Sequence, residues 1–114
     1  AGQARMVAAE GGEVLPGLNY LPTPGHSIDH MSIGLRSRGE EGLFAGDIMH
    51  NPVQVHAPDL ASIFCADPQQ ARRSRVRVLA HCAQHEAIYF SSHFAETSAG
   101  RILRAGSGYQ WTFV

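Results

Sequence analysis

Excess charge of either sign, a cysteine framework and long apolar runs are all missing from this chain, and each absence removes a class of function. Nine basic residues stand against ten acidic ones, a net charge of -1 with histidine neutral. No cluster of basic residues is dense enough to draw a phosphate backbone or an anionic bilayer, so neither nucleic acid nor membrane is an expected partner. The densest basic stretch, Arg72, Arg73, Arg75 and Arg77, falls in a predicted helix and reads as a solvated face. Cys65 and Cys82 are too few and too ordinarily placed for a disulfide scaffold, and neither belongs to a C-x-x-C pair, which leaves two reduced, partly buried thiols as the expectation. No apolar run reaches the roughly 18 to 20 residues of a membrane span, and no signal-peptide pattern opens the chain. A cytoplasmic location is therefore expected.

What remains is an ordinary globular composition, 44% hydrophobic over 114 residues, enough for one small unit without internal repeats or linkers. Arg5 to Leu21 alternates short apolar runs with Gly and Pro (Met6 to Ala9, then Gly11-Gly12, then Val14 to Gly17) and suggests two short strands around a turn. Met31 to Arg36 and Gly42 to Ala45 flank the polar loop from Ser37 to Glu41 as a hairpin. Asn51 to Asp59 reads as a loop leading into a short helical piece at Leu60 to Phe64. The best helix signal follows: Asp67 can cap, Pro68 suits the first helical position, and Ala71, Arg75, Val78, Leu79 and Cys82 share one face. Arg75 can serve that stripe through its methylene stem. Ala87 to Phe90 is a compact strand, and Arg101 to Ala105 with Tyr109 to Phe113 form a closing hairpin around Gly106-Ser107-Gly108.

Three polar residues stand at the tips of these elements. His26 follows a Pro-Gly turn, Asp47 follows the buried run Leu43 to Ala45, and His93 follows Ala87 to Phe90. Two imidazoles with a carboxylate suit zinc, iron or manganese, and a carboxylate has two oxygens with which to bridge two ions. Taken singly, a histidine after a turn is more often structural, and an aspartate after glycine is more often a turn residue.

Taken together, Thr23-Pro24-Gly25-His26 with His30, Leu43-Phe44-Ala45-Gly46-Asp47 and Ser92-His93-Phe94 resemble the last three motifs of the metallo-β-lactamase superfamily. Gly46 to Pro52, Phe64 to Asp67 and Tyr109-x-Trp111 are most similar to its branch of acyl-homoserine-lactone lactonases and methyl-parathion-hydrolase-like enzymes. The resemblance implies an α/β fold, the C-terminal half of an αβ/βα sandwich, with a mixed sheet and one main helix. It implies that residues 1–114 are a single half-domain whose N-terminal half is absent. It further implies two divalent metal ions, zinc first, with His26 a terminal ligand of one, Asp47 bridging both and His93 a terminal ligand of the other. The activity implied is hydrolysis of a small lactone, ester or phosphotriester by metal-activated hydroxide, with Asp47 in the catalytic centre and His50 a candidate to face the substrate or to be merely structural. His30 is expected to support the site, orienting His26. His81 and His85 make an i, i+4 pair without a third ligand in view, and His56 receives no role.

The superfamily's His-x-His-x-Asp-His motif is absent, and residues 1–20 contain neither His nor Asp to replace it. Three ligands divided between two ions give each too few donors for tight binding, so partial or no occupancy is expected of this chain alone. Half a sandwich also leaves one sheet face bare, which calls for a complementary N-terminal half or a second copy of the chain. The alternative reading is an inactive half-fold used for oligomerisation or partner binding.

Overall fold

Along residues 2–114, which the computed structural model describes, the chain forms one seven-stranded sheet whose spatial order equals its sequence order. The strands are β1 (Gly12–Leu15), β2 (Leu18–Pro22), β3 (Met31–Ser37), β4 (Glu40–Phe44), β5 (Ile88–Phe90), β6 (Ala99–Ala105) and β7 (Gly108–Phe113). All neighbours pair antiparallel except β4 and β5. A parallel pair needs a crossover rather than a tight turn, and the segment between these two strands carries both helices, α1 (Val53–His56) and α2 (Pro68–His85).

Helix α2 forms where the sequence signals place it. The Asp67 carboxylate accepts from Gln70 N at 2.9 Å, Pro68 occupies the first turn, and Glu86 closes the helix in a left-handed conformation. Its inner face buries Ala71 and packs Val78, Leu79 and Cys82 into a core with Leu43, Tyr89 and Ile102 from the strands. Each large apolar side chain so buried contributes about 1.5–3 kcal/mol. The core surroundings push the Cys82 thiol up to about 12, so it is an inert packing group.

Alternation along the strands sends the other side chains to the opposite face. The register aligns Ile33 with Phe44, Leu35 with Gly42, and Phe44 with Phe90, whose rings stack at 4.7 Å. Leu103 lies on the same face by alternation from Ala99, the partner of Phe90. Leu35, Phe44 and Leu103 remain 42%, 45% and 41% exposed, so no element of the described chain covers this apolar surface. No helix among the described residues is long and apolar enough to cross a membrane.

Three local expectations need correction. Met6 to Ala9 forms no strand, because the turn of the first hairpin falls at Pro16-Gly17, five residues later than the Gly11-Gly12 turn that the apolar pattern suggests. The short helix lies at Val53–His56 and not at Leu60 to Phe64, since Pro52 starts a helical turn once Asn51 Oδ1 accepts from Val53 N at 2.9 Å. Arg75 leaves the solvated face read from the basic row and is fully buried, in line with its place on the apolar stripe of α2. Its Nε donates to Pro58 O at 3.0 Å and its Nη1 to Ile48 O at 3.3 Å, tying the loop after β4 to α2.

Candidate metal centre

Sheet direction alone gathers the polar tips. Strands β4 and β5 run parallel, so Asp47 and His93 leave the sheet at the same edge. Two antiparallel steps make β2 run with β4, so the β2–β3 loop carrying His26 opens there too.

Each side chain is held from behind. In the β2–β3 loop, Gly25 O accepts from Asp67 N at 2.9 Å, His26 O from Ala66 N at 3.0 Å, and Pro24 O from Ser74 Oγ at 2.7 Å, docking the turn on the start of α2. Ser91 Oγ accepts from His93 N at 3.0 Å and Phe94 N at 3.1 Å, folding the post-β5 segment back on itself. The buried Gln54 amide oxygen accepts from His50 N at 2.6 Å and Asn51 N at 3.2 Å, while its amide nitrogen donates to Leu60 O at 2.8 Å.

Within the cluster, Asp47 turns a different oxygen to each of two imidazoles. Its Oδ1 lies 2.7 Å from His93 Nε2, and its Oδ2 lies 3.5 Å from His26 Nε2. The His50 ring stacks on His93 with centroids 4.7 Å apart and stands 5.0 Å from the His26 ring. Ligand atoms of Asp47, His50 and His93 all fall within 4.8 Å of one another. Partial burial works to raise the Asp47 pKa, but the hydrogen bond from His93 and the positive potential of His26, His93 and His30 outweigh it and hold the carboxyl below the ordinary aspartate range. Asp47 is thus ready as an anionic ligand. Burial, followed by neighbouring His93 and His26, lowers the His50 pKa and favours the neutral, ligating form.

His30 supports the site, but through Asp47 and not through His26. Its protonation follows from a chain of hydrogen bonds with one consistent set of protons. The Ser32 hydroxyl donates to Ala45 O at 3.1 Å, so the Thr23 hydroxyl donates to Ser32 Oγ at 3.0 Å. Thr23 Oγ1 then accepts from His30 Nδ1 at 2.8 Å, which leaves His30 Nε2 bare to accept from Asp47 N at 2.9 Å. Both ring nitrogens are used, so His30 holds the Asp47 backbone and is no ligand. Gly46 makes room for this contact: a Cβ there would lie 2.8 Å from His30 Nε2.

Burial, with His26 nearby, lowers the His30 pKa from 6.5 despite opposing attraction from Asp47. A lowered histidine pKa means the unfolded chain binds more protons than the folded one. Its contribution is therefore present above 6.5 and is lost as pH falls from 6.5 towards the folded value. We expect the metal-free protein to lose stability on acidification through this range, with His50 acting in the same direction. His30→Gln keeps an acceptor for Asp47 N and a donor for Thr23, and should make that loss shallower. Urea unfolding on both sides of this range checks it; an undiminished slope in the variant would refute the assignment.

The remaining histidines stay outside the centre. His81 Nε2 pairs with Glu41, whose other oxygen accepts from Arg36 Nε at 2.8 Å, so the His81/His85 pair does have a carboxylate beside it, supplied by β4. His56 ends α1. Neither Gln54 nor Arg75 is legible along the sequence as a hydrogen-bonding support, since their partners lie in other elements or turns of the loop.

No protein-family model and no curated protein matches the sequence. Among solved structures, the chain is similar to the hydrolase AbOPH of the beta lactamase superfamily, at 30% identity and TM-score 0.84, over 90% of this chain and 36% of that one. It is similar at 26% identity and TM-score 0.65 to an N-acyl homoserine lactone hydrolase with its product bound at the catalytic metal center, over 75% of this chain and 34% of that one. The fold is also that of AidC, a dizinc quorum-quenching lactonase, at 22% identity and TM-score 0.82, over 90% of this chain and 35% of that one. The chain thus spans about a third of the length of these structures.

Proposed function

We propose, from a premise the similarities establish, that of a metallo-β-lactamase fold, that this chain is the C-terminal part of a metal-dependent hydrolase and supplies His26, Asp47 and His93 to a two-metal centre. The observation that carries the reading is the disposition of Asp47, one oxygen facing His93 and the other facing His26. A carboxylate placed between two imidazoles in this way suits a bridge between two divalent ions, zinc foremost, with iron or manganese as alternatives. The buried Nδ1 atoms of His26 and His50, which have no partner among the described residues, also fit a centre whose outer contacts come from elsewhere. Such ions, when bound, lower the pKa of water to about 7 and polarise the oxygen of a carbonyl or phosphoryl group.

The chain's own residues orient and exclude. His30 and Thr23 fix the Asp47 backbone, and Gln54 fixes that of His50 beside the substrate approach. The substrate class is a small lactone, ester or phosphotriester. The remaining donors come from a complementary N-terminal half that covers the apolar face bearing Leu35, Phe44 and Leu103; a second copy of the chain could cover the same face.

The test is hydrolysis by the full protein containing these residues, with aryl acetate, γ-lactone and dialkyl aryl phosphate as probes. Activity should vanish with chelator, return with zinc, and be lost in His93→Ala. Turnover that survives chelation, or that His93→Ala leaves intact, would overturn the reading. A protein that hydrolyses none of the three, yet covers its sheet face by self-association, would favour the bare oligomerisation module.

A further inference from the structure

We propose that this chain by itself binds one divalent ion, coordinated by His26, Asp47, His50 and His93, with His50 standing in for donors that a two-metal centre draws from outside the chain. The proposal shares three ligands with the hydrolase reading but needs neither a second ion nor catalysis.

The donor arithmetic favours one ion. Divided between two metals, His26, Asp47 and His93 leave each with one imidazole and a shared carboxylate. Gathered around one metal, and joined by His50, they make three imidazole nitrogens and one carboxylate oxygen, a complete four-coordinate set for zinc. The geometry admits it. The ring of His50 lies between the other two, 4.7 Å from His93 and 5.0 Å from His26 by centroid. Bond lengths of about 2.0–2.1 Å place tetrahedral donors roughly 3.3 Å apart. The ligand atoms of Asp47, His50 and His93 already lie within 4.8 Å of one another, and His26 Nε2 stands 3.5 Å from Asp47 Oδ2, so binding requires the four side chains to draw in around the ion.

The hydrogen bonding points the same way. His30, the other imidazole close to Asp47, has both nitrogens committed to Thr23 and to the Asp47 amide. His50 makes no side-chain hydrogen bond among the described residues, and its Nδ1 is buried without a partner. A buried polar nitrogen left unpaired costs about 1–3 kcal/mol, which coordination of the ring would relieve. Meanwhile Gln54 and Arg75 pin the backbone on either side of His50, so the ring is delivered at little cost in chain entropy.

Cobalt(II) titration of the purified chain, followed by visible absorption, and zinc titration by calorimetry test this. The expected result is one ion per chain, with the intense visible bands of four-coordinate cobalt. His50→Phe keeps the ring packed against His93 and His26 but removes its nitrogens; it should weaken binding at least about tenfold and reduce band intensity. His56→Ala, at the end of α1 and outside the cluster, should change neither. Unaltered affinity in His50→Phe with a native circular dichroism spectrum would overturn the proposal. So would uptake of two ions per chain, or of none. Those outcomes leave the hydrolase reading standing, because it concerns the completed protein. A completed protein without hydrolysis would, conversely, leave His50-dependent binding of one ion untouched.

Discussion

Asp47→Asn is expected to abolish the zinc-linked stabilisation of this chain. An ion that binds only the folded state, supplied at about 100 times its dissociation constant, stabilises by about 2.7 kcal/mol, which for a chain of this size raises the melting temperature on the order of 10 °C. Asparagine keeps the shape of the side chain and can still accept from His93, but it replaces the cluster's anionic donor by a neutral amide. The variant loses one of the four proposed donors and the only negative charge among them, so the zinc-induced shift should fall to a small fraction of the wild-type value. In the absence of metal the two proteins should melt close together, because the Asp47 side chain is 40% exposed and its ion pairs are screened by solvent. Differential scanning calorimetry with and without zinc decides the matter. A full zinc shift in the variant would show that the ion sits elsewhere.

The second large effect is expected at Gly25. Its φ of +135° is a conformation that side-chain-bearing residues rarely adopt, and a Cβ there would lie 2.1 Å from the backbone nitrogen of Ala71. Neither the turn nor the first turn of α2 can yield without losing the hydrogen bonds that join Gly25, His26 and Pro24 to Ala66, Asp67 and Ser74. Strain of about 1–2 kcal/mol for the backbone and 1–3 kcal/mol for overpacking gives a destabilisation of about 2–5 kcal/mol in Gly25→Ala. Because His26 is the next residue, metal affinity should fall as well. Urea unfolding monitored by circular dichroism measures the first effect, and zinc titration the second; a variant within 1 kcal/mol of wild type would mean that the turn can be rebuilt cheaply.

These two positions also show what a linear reading can and cannot reach. Thr23-Pro24-Gly25-His26 reads as a rigid turn presenting a histidine, and it is one. That the glycine is needed because a helix begun more than forty residues later passes within van der Waals range is visible only in three dimensions. Asp47 is legible as a polar tip after a buried strand. Its dependence on His30 is less so: the i, i+4 spacing from His26 suggested support for that histidine, whereas pairing of β3 beside β4 brings His30 to the Asp47 amide. Arg75 is half legible: the helical stripe places it inward with Ala71, Val78, Leu79 and Cys82, while the basic row places it in solvent. A row of four arginines looks like a wet face, yet one of them turns inward to satisfy two loop carbonyls.

By itself the sequence determined which chemistry this chain can hold. Local spacing is enough to place His26, Asp47 and His93 at the ends of elements, to start α2 at Asp67, and to separate core strands from turns, because capping, turn geometry and hydrophobic period act over a few residues. Only the tertiary structure decided that His50 joins these three, that His30 and Gln54 hold their backbones, and that one face of the sheet stays uncovered. Those facts rest on which strands run parallel and on contacts between residues far apart in the chain, and nothing in a local pattern encodes the distance between two elements before the sheet has assembled.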